Sequence, residues 1–259
     1  MDASRLLTCL DTQYLLMWSA IIAAPADANV PTCPDWTVAD LAEHTAEVYR
    51  HKATTIRLGD FPKPWPPEAS ERPERPEASP ADDLTSAFAE LIRELSERAP
   101  TDPARTWHEP DQTVGFWLRR MAHETVIHRI DAELAAGREV SKIDDDLALD
   151  GVDEVLNLYC AYRGTVWRDE CGDLLDDPDA RPITVQAGQS RWVVRTTKAG
   201  LQIAEADAQT AAQSAASASG QPGSMLRWLW NRAADDTVAL TGDEALLGKF
   251  RALRMAATG

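Results

Sequence analysis

Trp117-Leu118-Arg119-Arg120-Met121-Ala122-His123-Glu124-Thr125-Val126-Ile127-His128-Arg129-Ile130-Asp131 is the stretch on which the reading of this chain turns. Trp117, Met121, Glu124, His128, Asp131 and Ala135 recur at alternating steps of four and three, the seam of a helix packed in a bundle. Glu124, His128 and Asp131 in that seam are ionisable. Burying carboxylate and imidazole is costly unless something neutralises them, and a divalent metal does so. Glu124 and His128 lie one helical turn apart and project side by side. His123-Glu124 begins like the zinc-protease pattern HExxH, but the next histidine is five positions from the first, not four. Those two imidazoles point roughly 140° apart on a helix and cannot share one ion.

Outward from this helix, three more amphipathic helices come into view. Ser4 to Ile22 carries Leu6, Leu7, Leu10, Tyr14, Leu15, Met17 and Trp18 at helical spacing, with Pro25 and Pro31 beyond it. Thr37 reads as an N-cap with Asp40 three positions on, opening a helix to about Leu58. Asp83 to Arg98 is helical through Leu84, Phe88, Leu91, Ile92 and Leu95. The helix of the opening stretch starts at Thr113 and stops at Gly137. Gly59 to Asp82, with seven prolines among charges, is expected to be an extended loop. Four such helices imply a four-helix bundle. His44 falls on the inward face of the second helix between Leu41 and Val48, where it supplies a third ligand. Two histidines and a glutamate with a fourth position open match catalytic zinc sites rather than structural ones. Nickel, iron and manganese accept the same ligand types. A buried Glu124–His128 ion pair with a hydrogen-bonded core His44 also suits these residues, so the residues alone leave both readings open.

After Asp144 the pattern changes. One further helix to about Tyr162 precedes short β-like runs at Ile183–Gln186, Arg191–Thr196 and Leu201–Ala204, with Gly188 and Gly200 at the turns. The low-complexity stretch Ala208 to Gly223 reads as loop or weak helix, Met225 to Arg232 as a helix capped by Ser224, Thr237 to Leu240 as a strand, and Ala245 to Met255 as a closing helix. The expectation is two domains, an all-α bundle over 1–160 and a smaller α+β domain over 161–259.

The 259 residues carry a net charge of -16, which disfavours nucleic acid and anionic membranes as partners. The apolar run Tyr14 to Ala24 is too short to span a bilayer and follows only one arginine, so it reads as a core helix. Cys9, Cys33, Cys160 and Cys171 show no CxxC spacing, which points to neither a disulfide framework nor a cysteine zinc site, and to a cytoplasmic location.

Cys33-Pro34-Asp35-Trp36-Thr37-Val38-Ala39-Asp40-Leu41-Ala42-Glu43-His44 resembles the entry to the second helix of the DinB-like, mycothiol-dependent maleylpyruvate isomerase family. Arg120 to Glu133 resembles that family's metal-binding helix. Leu229-Trp230-Asn231-Arg232, Thr241-Gly242-Asp243 and Leu246-Leu247 resemble its sterol-carrier-like C-terminal domain. The resemblance implies that His44, Glu124 and His128 hold a divalent metal, usually zinc, and that mycothiol is the thiol cosubstrate. It implies that Arg232 is linked to activity, where its planar fork suits the carboxylate of an anionic, electrophilic small molecule. Asp131 is expected either to orient an imidazole or to be an ordinary helix acid. The implied activity is isomerisation or S-transfer by a thiolate. A zinc hydrolase and a non-catalytic binding protein on the same fold are the alternatives.

Overall fold

Thr37 shows how the sequence sets the first helix boundaries of the computed structural model, which describes residues 1–63, 79–176 and 178–258. Its hydroxyl accepts from the Asp40 amide while the Asp40 carboxylate accepts from the Thr37 amide at 2.8 Å, a complete capping box. Helix α2 (Val38–Leu58) follows and ends on Gly59, whose φ of 71° closes it. Helix α1 (Ala3–Ala23) is capped by Asp2, and Thr113 caps α4 (Val114–Ala135). Helix α3 (Pro80–Ser96) is capped by Ser79 and begins with Pro80 in its first turn, three residues before the expected Asp83. Of the extended loop expected over Gly59 to Asp82, residues 64–78 lie outside the described residues.

α1 packs on α4 and α2 on α3, which makes the expected four-helix bundle. Leu10, Met17, Leu41, Leu84, Leu91 and Trp117 are fully buried in it. Each such side chain stabilises the fold by roughly 1.5–3 kcal/mol through area removed from water. α4 is buried nearly all round, Arg129 and Glu133 included. Their pairing at 2.6 Å is completed by Gln13 Oε1 and the backbone of Ser141. α1 is longer than the apolar run that marks it, and it is the one helix among the described residues long and apolar enough to cross a membrane. Its apolar face, Leu6, Leu10, Met17 and Ile21, is buried within the bundle. Between α1 and α2 a small hairpin, β1 (Asn29–Val30) and β2 (Cys33–Thr37), had no counterpart in the sequence reading.

The chain divides into compact units at Ser141/Lys142, earlier than the boundary expected at 160. The reason is α5 (Asp145–Glu154): its Leu147, Ala148 and Val152 are buried, and it packs on a helix of the second unit. α5 continues into a π-helical stretch, Val155–Arg163, the short α6 (Gly164–Val166) and a 3-10 segment, Arg168–Leu175. The second unit is α+β. Strands β3 (Ile183–Ala187), β4 (Ser190–Thr197), β5 (Gly200–Glu205), β6 (Ala216–Gly220) and β7 (Ala239–Gly242) form one sheet in the order β5-β4-β3-β6-β7. The β3–β6 pair is parallel and the others are antiparallel. The stretch expected to be loop or weak helix is thus a short helix, α7 (Ala208–Ala211), followed by the interior strand β6. Helix α8 runs Pro222–Leu229 with Gln221 at its N-cap rather than Ser224, because Pro222 is already suited to the first turn. Helix α9 (Glu244–Thr258) closes the unit.

Candidate metal centre

α2 and α4 bring His44, Glu124 and His128 together. One ligand atom from each lies within 4.8 Å of the others. His128 Nε2 is 3.2 Å and His44 Nε2 is 3.7 Å from Glu124 Oε1. Ligands bound tetrahedrally to zinc at its usual bond lengths sit roughly 3.3 Å apart, so the donor set fits the ion with small adjustment. The two imidazoles meet edge to face at 5.1 Å between centroids.

Each ligand is held from behind. His128 turns Nδ1 to Asp131 Oδ2 at 3.0 Å, which leaves Nε2 for the centre. Asp131 is fully buried and accepts a 2.5 Å hydrogen bond from Thr32 on its other oxygen, with the Cys33 thiol 4.0 Å from Oδ2. This is the arrangement in which a carboxylate fixes the tautomer and orientation of a ligating imidazole. Glu124 directs Oε2 to the Arg120 guanidinium, one turn back on α4, and keeps Oε1 for the centre. The Trp36 ring covers His44 at 4.6 Å and faces His128 at 6.0 Å.

The electrostatics follow from these contacts. Burial opposes ionisation of Glu124, but Arg120 and the two histidines hold its pKa well below the usual carboxylate value. Burial also disfavours a charged His128, yet the hydrogen bonds to Asp131 and Glu124 prevail and raise its pKa to about 9.

Of the residues singled out in the sequence, His44, Glu124, His128 and Asp131 converge here. His123 is buried but lies outside the triad. None of the four cysteines forms a disulfide, and Cys33 alone is partly exposed. Arg232 belongs to the second unit, just after α8. Asn231 takes a left-handed φ of 59°, its amide donates to Trp228 O at 3.1 Å, and the Arg232 amide donates to Arg227 O at 2.8 Å. These are the two bonds of a Schellman motif, with asparagine where glycine is usual. The Arg232 Nη1 donates to Trp230 O at 2.8 Å, on the last carbonyls of its own helix. Thr32, Trp36 and Arg120 were not singled out. Arg120 had a signal, its i,i+4 spacing from Glu124. Thr32 had none, because Asp131 is 99 positions away; Trp36 stands eight positions before His44 but outside its helix, so helical spacing does not pair the two.

The family models match the chain twice: the mycothiol maleylpyruvate isomerase N-terminal domain over residues 11–133, and the MDMPI C-terminal domain over 146–249. Among solved structures, the mycothiol-dependent maleylpyruvate isomerase is similar at 12% identity and TM-score 0.62, covering 94% of this chain and 95% of that one. A histidine-to-alanine mutant of it is similar at 11% identity, with the same TM-score and coverage. No curated protein matches the chain. With both domain models matched in order across most of its length, the chain belongs to the mycothiol maleylpyruvate isomerase family.

Proposed function

We propose that this protein is a metal- and mycothiol-dependent enzyme, an isomerase or S-transferase acting on an electrophilic, anionic small molecule in the cytoplasm. The observation that carries the reading is the His44–Glu124–His128 triad, with its oriented imidazole, in a chain of this family. His44 Nε2, Glu124 Oε1 and His128 Nε2 would hold the ion, and zinc suits the two-histidine, one-carboxylate set. Zinc held there would lower the pKa of a mycothiol thiol, so that a thiolate nucleophile would be available at neutral pH for an isomerisation or S-transfer on an electrophilic carbon.

The chain's own residues do the rest. Asp131 holds the His128 ring in the tautomer that presents Nε2. Thr32 fixes Asp131, and Arg120 fixes the second oxygen of Glu124. Trp36 shields the His44 edge of the centre from water. Arg232 is the proposed holder of a substrate carboxylate, since a local cation is needed to bind an anion in a chain of net charge -16.

Elemental analysis of zinc-loaded protein tests the core of this reading. One zinc per chain is expected in the wild type and in His123→Ala, and none is retained in His44→Ala, Glu124→Ala or His128→Ala. Substoichiometric zinc in the loaded wild type would refute it. Consumption of mycothiol with an unsaturated carboxylate then separates thiol chemistry from hydrolysis, which proceeds without thiol.

A further inference from the structure

His44 is the least restrained of the three candidate ligands. Its side chain is 37% exposed, against 18% for Glu124 and 9% for His128. Among the described residues, the one polar contact of its ring is Nε2 with Glu124 Oε1 at 3.7 Å. Its Nδ1 has no counterpart there of the Asp131 carboxylate that orients His128. A ligating histidine almost always has a partner on its outer nitrogen. Without one, the ring must give up its rotamer freedom when it binds an ion, at the expense of affinity.

What meets the His44 ring is aromatic. The Trp36 ring lies 4.6 Å away between centroids, with the planes inclined at 46°, and His128 meets His44 edge to face. The backbone fixes where the indole stands. Trp36 belongs to β2, which pairs with β1, and it immediately precedes Thr37, whose capping box with Asp40 locks the entry to α2. From that position an apolar side chain commonly folds back onto the first turns of its own helix. His44 is in the second turn of α2. The same hairpin sends Thr32 to Asp131. One short hairpin thus reaches both histidines, His128 through Thr32 and Asp131, and His44 directly through Trp36.

We propose that Trp36 is a positioning residue for the metal centre, an aromatic clamp that holds the His44 imidazole with Nε2 turned inward, the part that Asp131 plays for His128. The inference rests on the proposed function for the ion, but the clamp is a property of the two rings. An imidazole that has given a lone pair to a divalent cation is electron-poor, and the indole of tryptophan is the aromatic group that attracts such a ring most strongly. The contact is therefore worth more with the ion bound than without it, which is what links Trp36 to affinity rather than to folding alone.

The test uses full-length wild type, Trp36→Phe, Trp36→Leu and Trp36→Gln, with two readouts. Zinc affinity, by competition with a chromogenic chelator, should fall about tenfold or more in the Leu and Gln variants, the loss usual when a ligand loses its outer support. It should stay within about threefold of wild type in the Phe variant, which keeps an aromatic ring at the position. In the metal-free proteins, the imidazole proton resonance of His44, assigned by its loss in His44→Gln, should shift in the Leu and Gln variants as the indole ring current is removed, and the His128 resonance should shift less. Unchanged zinc affinity in the Leu and Gln variants overturns the clamp, as does a loss in the Phe variant as large as theirs, or a His44 resonance that ignores residue 36. If wild type holds no zinc, the metal reading fails by itself, and the resonances of the metal-free proteins decide the clamp by the same criterion.

Discussion

Asp131 accepts a hydrogen bond from Thr32 on one oxygen and faces His128 with the other. A carboxylate in that position raises the basicity of the imidazole and fixes its tautomer. Asp131→Asn should therefore weaken zinc binding by about 10–100-fold with the fold intact, as read by competition with a chromogenic chelator. Thr32→Val should move affinity in the same direction by less. A second residue-scale expectation concerns pH. The Lys52 pKa falls from 10.5 to about 8 on folding. Between these values the unfolded chain holds a proton that the folded protein has released, so this residue makes stability rise with pH across that window. Below pH 8 both states are protonated and the slope vanishes. Urea unfolding of wild type and Lys52→Met in metal-free buffer should show the wild type gaining on the variant from pH 8 to 10.5. A flat difference would mean that Lys52 is not desolvated. The ligands were legible in the sequence because a helix places residues four apart on one face, so Glu124 and His128 had to be neighbours. The hairpin residues behind them were not. Thr32 and Asp131 are separated by 99 positions, and nothing in the local sequence of either encodes the other.

At the scale of elements, what was legible has a local cause. Thr37 and Asp40 satisfy each other's backbone within one turn, so their helix start could be read directly. Thr37→Ala should cost about 1 kcal/mol in urea unfolding, the usual loss for an N-cap. The Arg129–Glu133 pair inside α4 is a different case, since both side chains are buried. Glu133→Ala removes a carboxylate bonded to a buried guanidinium and should cost about 3–5 kcal/mol by the same measurement. Strand β6 escaped the sequence because Ala-Ser-Ala-Ser-Gly has neither β-branched nor aromatic residues. It is a strand because the edge of β3 needs a partner, and that requirement is tertiary. Small side chains suit the place, since β6 is flanked on both sides by other strands. The sequence reading drew the bundle to 160 because α5 looks like any bundle helix, and its packing on α8 groups it with the second unit.

For the whole molecule, a ligand that binds only the folded state stabilises it by mass action. Zinc at a hundredfold excess over its dissociation constant should add about 2.7 kcal/mol, and a chelator should remove the gain. Thermal unfolding of the full chain with graded free zinc checks this, and a midpoint independent of zinc would count against the centre. The order of strands in the second unit has a consequence for how the protein is made. β3 is flanked by β4, which follows it at once, and by β6, which begins at Ala216. A nascent chain that has emerged from the ribosome only as far as β5 thus presents one side of a buried, apolar strand, Ile183–Ala187, with its amides and carbonyls unpaired. Translation delivers the cover about thirty residues after the end of β3, roughly 1.5 to 6 seconds at about 5–20 residues per second. A stall in that interval leaves an open sheet edge for other chains to join, so rare codons between positions 187 and 216 should lower soluble yield more than the same codons placed between α1 and α2.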